Sequence, residues 1–440
     1  MGALKPCKVS TKQKQIAKLA RKLPSRTLTT LAHHIDRDWL REAYRRTRQD
    51  GAVGVDGVTA EDYETELEQS LESLLQRFKC GTYRAPPVRR VMIPKGDGRK
   101  TRPIGIPTLE DKILQRAVLM VLEPVYEQSF STRSFGFRPE KSCHQALKTL
   151  WSGLMSMGGG FVIDLDIRSF FDHIDHSQLR EFLDKRIRDG VIRRQLDKWL
   201  RAGIATGGSI KRATLGTPQG GVISPLLANI YLDEVLDQWF ANQVIPRMKG
   251  RATFVRFADD AVLIFEIKRD AERVMAVLAK RFGKYGLTLH PEKTKMISFA
   301  KPIQGRARKH HSMKSFNFLG FTHFWAKSRK GNWVVRQQTS KQSLRRAGKA
   351  ISQWCRQFRN KPLSWQCQKL AKKLLGHYAY YGITGNARSL QKFYQHTRCT
   401  WRKWLGRRSQ RAYIRWERFS QMEKYYALPK PVVVHSVYKT

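Results

Sequence analysis

Acidic residues are scarce in this sequence. Its 36 Asp and Glu stand against 83 Lys and Arg, a formal charge of +47 at pH 7. The excess runs from Lys5 to Lys439, which excludes a neutral body with a basic tail and points to a polyanionic partner, nucleic acid by default. No apolar run reaches the roughly 18 residues that span a bilayer, so no membrane partner is expected. Met1 to Ala20 is basic and polar and lacks the apolar core of a secretory signal. The cysteines (Cys7, Cys80, Cys143, Cys355, Cys367 and Cys399) form no Cys-x-x-Cys pair. That argues against a zinc site or a disulfide frame and for free thiols in a reducing compartment. The glycine-rich stretch Gly51–Gly57 has no P-loop lysine and reads as a loop.

What is present is ample packing material. Hydrophobic residues make up 41% of the 440, with 21 Phe, 14 Tyr and 11 Trp. The length predicts two or three domains. Residues 1–30 hold few bulky apolar groups, and the extreme N-terminus is expected to order only on RNA. Helices are predicted over 36–48, with Trp39, Leu40 and Tyr44 on one side, and over 62–78.

Two aspartates organise the chain. Phe254-Val255 and Ala261–Phe265 are apolar and flank Arg256-Phe257-Ala258-Asp259-Asp260, a pattern that predicts a β-hairpin with adjacent carboxylates at its tip. Read alone, such a tip serves equally as a solvated turn. If it is kept among apolar flanks, its mutual repulsion calls for a cation, and a pair of Mg²⁺ ions is the natural candidate. Phe161–Ile167 predicts a second strand, with Val162, Asp164 and Asp166 sharing one face. A lone strand-end aspartate is a cap or a surface residue; two on one face, followed by Phe170-Phe171-Asp172, are less easily dismissed.

The remaining motifs lie around these. Val91–Pro94 and Arg102–Pro107 predict a hairpin with its turn at Gly96-Asp97-Gly98. Lys95 and Arg102 occupy its polar positions, either as a solvated basic hairpin or as a mobile cationic flap that grips a triphosphate. Helices are predicted over 109–123, 177–188, 193–202, 222–240 and 270–285, with Pro225 in the first turn of the long one. A further hairpin opens at Phe316 and returns through Trp333-Val334-Val335. Beyond Ser340 the pattern is helical only, over 343–359, 363–381 and 387–405. Its aromatics are expected mostly in a bundle core and its Lys and Arg on a face for RNA.

Four blocks in order resemble the reverse transcriptases encoded by bacterial group II introns. They are Ser134-Phe135-Gly136-Phe137-Arg138-Pro139, Gly216-Thr217-Pro218-Gln219-Gly220-Gly221, Phe257-Ala258-Asp259-Asp260 and Phe316-Asn317-Phe318-Leu319-Gly320-Phe321. The resemblance covers about residues 35–435, and it is to the compact, endonuclease-lacking, group IIC-like type. The family's usual tyrosine before Ala-Asp-Asp is Phe257 here, which keeps the ring and loses the hydroxyl.

The resemblance implies an α+β fold, a right-hand polymerase with fingers, a palm built on an antiparallel sheet, and an all-helical thumb or maturase domain. The implied division is a basic extension over 1–35, fingers over 36–160, palm over 161–336 with its catalytic hairpin at 254–265, thumb over 340–425 and a tail over 426–440. It further implies Asp166, Asp259 and Asp260 as catalytic, metal-holding carboxylates, Asp166 being preferred to Asp164 for its spacing to Phe171. Lys95, Arg102, Phe171, Gln219, Gly220 and Lys293 are implied in dNTP binding, Phe171 by excluding a 2′-hydroxyl. Phe318, Leu319 and Gly320 are implied in gripping the primer. Arg345, Arg346, Lys372 and Lys373 are candidates for RNA contact.

The implied cofactor is two Mg²⁺, with Mn²⁺ able to substitute. The implied partners are a group II intron RNA in a ribonucleoprotein, target DNA, an RNA template with a DNA primer, and dNTPs. The implied setting is a bacterial cytoplasm, on the nucleoid when DNA is engaged. Two rival readings share these residues in part: a domesticated or defence-associated reverse transcriptase, and an RNA-binding splicing factor without polymerase activity. The intact carboxylates with Lys95 and Arg102 argue against the second.

Overall fold

The computed structural model describes residues 8–95, 100–206, 209–211, 215–217, 219–302, 314–409 and 413–436. A helix begins at once. In α1 (Lys8–Lys22) the residues Val9, Ile16 and Ala20 are buried, on one helical stripe. The extreme N-terminus, expected to order only on RNA, lies outside the described residues before Lys8. Three apolar contacts suffice because the buried guanidinium of Arg186 collects the carbonyls of Ala20, Leu23 and Arg26 at the end of the helix. Next, α2 (Arg37–Arg46) starts at Asp36, whose carboxylate accepts from the Trp39 amide at 2.9 Å. It buries Trp39, Leu40 and Tyr44, as its spacing predicts. The single helix expected over 62–78 is two, α3 (Ala60–Thr65) and α4 (Leu67–Lys79), because Glu66 leaves helical geometry between them.

The predicted basic hairpin forms from β1 (Val88–Lys95) and β2 (Lys100–Ile106), with Ile93 opposite Arg102. Its turn and the Lys95 side chain lie outside the described residues. There follow α5 (Leu109–Tyr126), α6 (Cys143–Ser156), β3 (Phe161–Leu165), α7 (His176–Asp184), α8 (Gly190–Arg201), β4 (Ile204–Thr206), β5 (Ser209–Lys211) and α9 (Ser224–Leu232). The expected long helix does continue past Leu232, but as wider π turns over Asp233–Asp237 and Phe240–Val244. The two-aspartate hairpin is β6 (Ala252–Phe257) and β7 (Asp260–Phe265). After it come α10 (Lys268–Gly283), β8 (Lys295–Ser298), β9 (Phe316–Phe318), β10 (Phe321–Lys327) and β11 (Trp333–Thr339). The helices α11 (Lys341–Gln357), α12 (Leu363–Tyr381), α13 (Ala387–Leu405) and α14 (Trp416–Tyr425) complete the order. The last of these has no counterpart in the expected set.

Among the described residues the strands assemble into three sheets, β2-β1-β4-β5, β6-β7-β3-β8 and β11-β10-β9, antiparallel except where β1 runs parallel to β4. With the helices this is an α+β fold. The second sheet is apolar on both faces. Ile163, Leu165, Phe254 and Leu263 join one large core with α5, α9 and α10. Val162, Val255, Val262 and Ile264 join another with α6 and the β9–β11 sheet. A third core belongs to α11–α14, where Leu370, Leu374, Leu390 and Trp401 are buried.

One buried carboxylate ties the first core together. Asp111 on α5 accepts from Trp199 Nε1 at 2.6 Å, Tyr83 Oη at 3.0 Å and Gln115 Nε2 at 2.9 Å. Burial lifts its pKa to about 6 despite those donors. The folded value lies above the unfolded one, so ionisation opposes folding, and this contribution to stability falls as pH rises through the folded pKa. Asp111→Asn keeps an acceptor and cannot ionise. Relative to wild type it should therefore gain up to about 3 kcal/mol between roughly pH 4 and pH 7. Denaturant unfolding of both proteins at each pH checks this, and a difference independent of pH would contradict it.

Candidate active site

The sheet brings the predicted carboxylates together. Leu165 pairs with Ala261 across β3 and β7, and continuing that register by one residue sets Asp166 opposite Asp260. Phe257 and Asp260 close the hairpin, with Ala258 and Asp259 at its tip. Ala258 holds φ at 57°, a left-handed conformation that strains an L-residue and aims the following carboxylates. Asp166 is anchored behind by its own backbone, its carbonyl accepting from the His290 amide at 2.8 Å. Its carboxylate accepts from Lys293 Nζ at 3.0 Å.

The electrostatics are those of a crowded anionic cleft. Asp260 reaches solvent at the mouth yet is packed round by protein. Desolvation first, then repulsion from Asp259, Asp166 and Asp164, raises its pKa to about 6, while Lys293 pulls the other way. Asp164, half-buried and paired in register with Lys295, is likewise raised to about 6, by desolvation before repulsion from Asp166. Asp164 therefore shares the field of the cluster with Asp166, the aspartate that spacing to Phe171 favours. Among the described residues no three His, Cys, Asp or Glu side chains already close around one point. Instead Asp166 leans on Lys293. Oxygen donors that repel one another so strongly suit a hard divalent cation, which would relieve the repulsion.

A second constellation lies beside the first. Phe171, Thr217, Gln219, Arg90, Ile104 and Gly105 line a cavity between the basic hairpin and the loop before α9. The loop is stitched to both walls: the Thr217 amide donates to the Phe171 carbonyl at 2.9 Å and the Gly105 amide to the Gln219 carbonyl at 2.7 Å. Gly220 is required here, because φ is 116° and a Cβ would meet the Gly105 carbonyl oxygen at 2.4 Å. Gln219 Oε1 is buried without a hydrogen-bond partner among the described residues, an acceptor left over for something else. Arg102 is exposed on β2. Of the block Gly216–Gly221, Pro218 lies outside the described residues.

Phe318, Leu319 and Gly320 form the turn between β9 and β10, with Leu319 and Gly320 at positive φ. Tyr380 of α12 donates to the Leu319 carbonyl at 3.0 Å. The Tyr380 phenol has a raised pKa, first through burial, with smaller contributions from Cys143, Tyr381 and Asp260. Arg345 and Arg346 on α11 and Lys372 and Lys373 on α12 are exposed, and no contact among the described residues joins them to the cleft. Sequence reasoning passed over three buried residues behind the hairpin, Asn229, Asp237 and Arg256. The signal was available: Arg256 shares the inward face of β6 with Phe254, and a buried arginine demands a buried acid.

Residues 93–323 match the sequence pattern of the family described as reverse transcriptase (RNA-dependent DNA polymerase). That span holds Asp164, Asp166, Asp259, Asp260 and Lys293, and of the cavity lining named above all but Arg90. This chain belongs to the reverse transcriptase family. The enzyme is 36% identical over 366 residues to Protein YkfC of Escherichia coli (strain K12), covering 74% of this chain and 91% of YkfC. It is 39% identical over 194 residues to the group II intron-encoded protein LtrA of Lactococcus lactis subsp. cremoris, covering 44% of this reverse transcriptase and 32% of LtrA. Nuclear intron maturase 2, mitochondrial, of Arabidopsis thaliana is 31% identical over 175 residues, 31% of this chain and 23% of that protein. The match thus spans about a third of LtrA and less of the plant maturase. No helix among the described residues is long and apolar enough to cross a membrane.

Proposed function

We propose that this reverse transcriptase is encoded by a group II intron, binds that intron's RNA to assist splicing, and copies RNA into cDNA during retrohoming. The observation that carries the polymerase half is the convergence of Asp166, Asp260, Asp259 and Asp164 at one end of the β3–β7 pair. Relatives named as intron-encoded protein and intron maturase support the other half. So does the charge of +47, which suits a large RNA. In this reading α1 lies in a basic N-terminal extension, α2–α6 with β1 and β2 serve as fingers, the β6-β7-β3-β8 sheet as the palm, and α11–α14 as the thumb.

Asp166, Asp259 and Asp260 would hold two Mg²⁺, or Mn²⁺ in their place. When bound, such ions acidify the primer 3′-hydroxyl and neutralise the charge that builds on the leaving pyrophosphate. The chain's own residues do the rest. Lys293, now on Asp166, is free to turn to a phosphate once a cation takes over that carboxylate. Lys95 and Arg102 grip the β- and γ-phosphates, and Gln219 and Gly220 shape the nucleotide pocket. Phe318-Leu319-Gly320 holds the primer end in line, and positioning of this kind supplies a large share of the rate. The partners are the intron RNA, target DNA, an RNA template with its primer, and dNTPs.

Phe171 would exclude ribonucleotides by its ring. It is half-buried, edge-on to Phe170 at 5.4 Å, and lines the cavity with Gln219. Phe171→Val or Phe171→Ala should raise rNTP incorporation relative to dNTP by about tenfold or more. Single-nucleotide extension with each triphosphate measures the ratio, and unchanged discrimination would move the role to another residue. Extension of a DNA primer on an RNA template, with splicing of the co-purifying intron RNA at near-physiological Mg²⁺, tests the function as a whole. Splicing that proceeds equally without the protein would remove the maturase half.

A further inference from the structure

Behind the hairpin tip lies a polar cluster that takes no part in the reading above. Arg256 is fully buried on β6, one strand position from Phe257. Its guanidinium makes a bidentate pair with Asp237, Nε to Oδ1 at 2.8 Å and Nη2 to Oδ2 at 2.6 Å. The remaining nitrogen, Nη1, donates to Asn229 Oδ1 at 2.9 Å and to the carbonyl of Ala258 at 3.1 Å. Asn229, itself buried on α9, uses its other end to donate from Nδ2 to the Gly136 carbonyl at 2.8 Å. The segment around Gly136 runs along β6, with the Phe135 amide donating to the Arg256 carbonyl and the Arg256 amide to the Arg133 carbonyl, both at 2.9 Å. Gly136 abuts the tip so closely that a Cβ there would sit 2.2 Å from the Ala258 amide nitrogen.

Two strained residues meet at this point. Ala258 and Phe137 both hold φ at 57°, and Phe137 is exposed. Strained L-residues persist only where their surroundings over-determine them. Here the surroundings are the guanidinium, the Asn229 amide and the backbone at Gly136. The π turn over Asp233–Asp237 is what brings Asp237 round to the guanidinium, since an extra residue per turn rotates the helix face.

We propose that Asn229 and Arg256 are positioning residues: together they fix the Ala258 carbonyl against the Gly136 segment and so set the spacing of Asp259 and Asp260 for nucleotidyl transfer. This rests on the reading that those two aspartates hold the catalytic ions. A buried pair that served only to stabilise the fold would need neither the bond to Ala258 nor the bridge through Asn229.

The test is primer extension on an RNA template, with kcat, the KM for dNTP and the Mg²⁺ concentration giving half the maximal rate, alongside thermal unfolding. Asn229→Ala frees one side of the tip and leaves the Arg256–Asp237 pair intact. It should lower kcat by about tenfold or more and raise the half-saturating Mg²⁺ severalfold, with the KM for dNTP and the melting temperature little changed. Arg256→Lys keeps a charge for Asp237 but not the planar fork, and should reproduce the Mg²⁺ shift. The double change Arg256→Leu with Asp237→Leu removes both charges together, the substitution a buried pair tolerates best, and should fold while showing the same shift. An unchanged Mg²⁺ requirement in folded Asn229→Ala overturns the proposal, as does wild-type kinetics in Arg256→Lys. Asp259→Ala run in parallel separates the two claims. If it copies RNA at the wild-type rate, the reading of the aspartates has failed; if it is inactive while Asn229→Ala is normal, only the positioning role has.

Discussion

Replacing Asp259 and Asp260 together by alanine should reduce cDNA synthesis on the order of a thousandfold or more, the scale reached when a preorganised electrostatic stabiliser is removed. RNA affinity should hardly fall. The protein carries 83 basic residues, and removing two negative charges can only strengthen its attraction for a polyanion. The same site sets the pH dependence. Asp260 has a pKa raised to about 6, so it takes up a proton as pH falls through that value and then competes with any cation. More Mg²⁺ should be needed for half-maximal rate near pH 5.5 than near pH 8. Primer extension and filter binding on the same preparations check the pair of outcomes, and synthesis near the wild-type rate in the double variant would sink the metal site.

Neutralising Arg345, Arg346, Lys372 and Lys373 to glutamine should weaken intron RNA binding steeply at low salt. All four are exposed, on α11 and α12, and none has an acidic partner among the ion pairs of the described residues. The Lys373 ammonium lies over the Trp354 ring, 5.6 Å from its centroid, a cation–π contact on an exposed side chain. If each neutralises one phosphate, the slope of log affinity against log salt should fall in magnitude by about 3. The fold should survive, because the third core rests on Leu370, Leu374, Leu390 and Trp401 instead. Titration of the co-purifying RNA across a salt series measures the slope, and an unchanged slope would place the RNA elsewhere on the surface. Deleting 340–440 is a poorer experiment than the sequence suggests. Ile383 belongs to the core that backs the β6-β7-β3-β8 sheet, and Tyr380 and Tyr381 pack against it, so the cut would expose that core.

The hairpin was legible because both of its arms are apolar and its tip is not, a contrast that survives any tertiary context. The basic hairpin and the first three helices of the C-terminal bundle were legible for a similar reason, since alternation and helical spacing are local. What stayed hidden was long-range or sparse. Arg256 and Asp237 are 19 residues apart, and no period links a strand arginine to an acid in a π turn. The π turns themselves leave no mark in a helical apolar pattern, so 222–240 read as one regular helix. At α1 the failure was one of weight: Val9, Ile16 and Ala20 are too few to outvote the lysines around them, and only the docked surface reveals their use. The break at Glu66 is a single residue's departure from helical geometry, below the resolution of any window.

The sheet that carries the aspartates is covered by apolar side chains on both faces, with β7 and β3 as its inner strands. Amides in such strands exchange with deuterium only through the largest openings of a protein. The aspartates at the end of this sheet are therefore fastened to what melts last. Fraying of the basic hairpin, which belongs to a different sheet, can heal while the carboxylates stay in register. Recovery after brief heating should accordingly be quick and complete up to the point at which the two cores part. Beyond that point it should fail all at once.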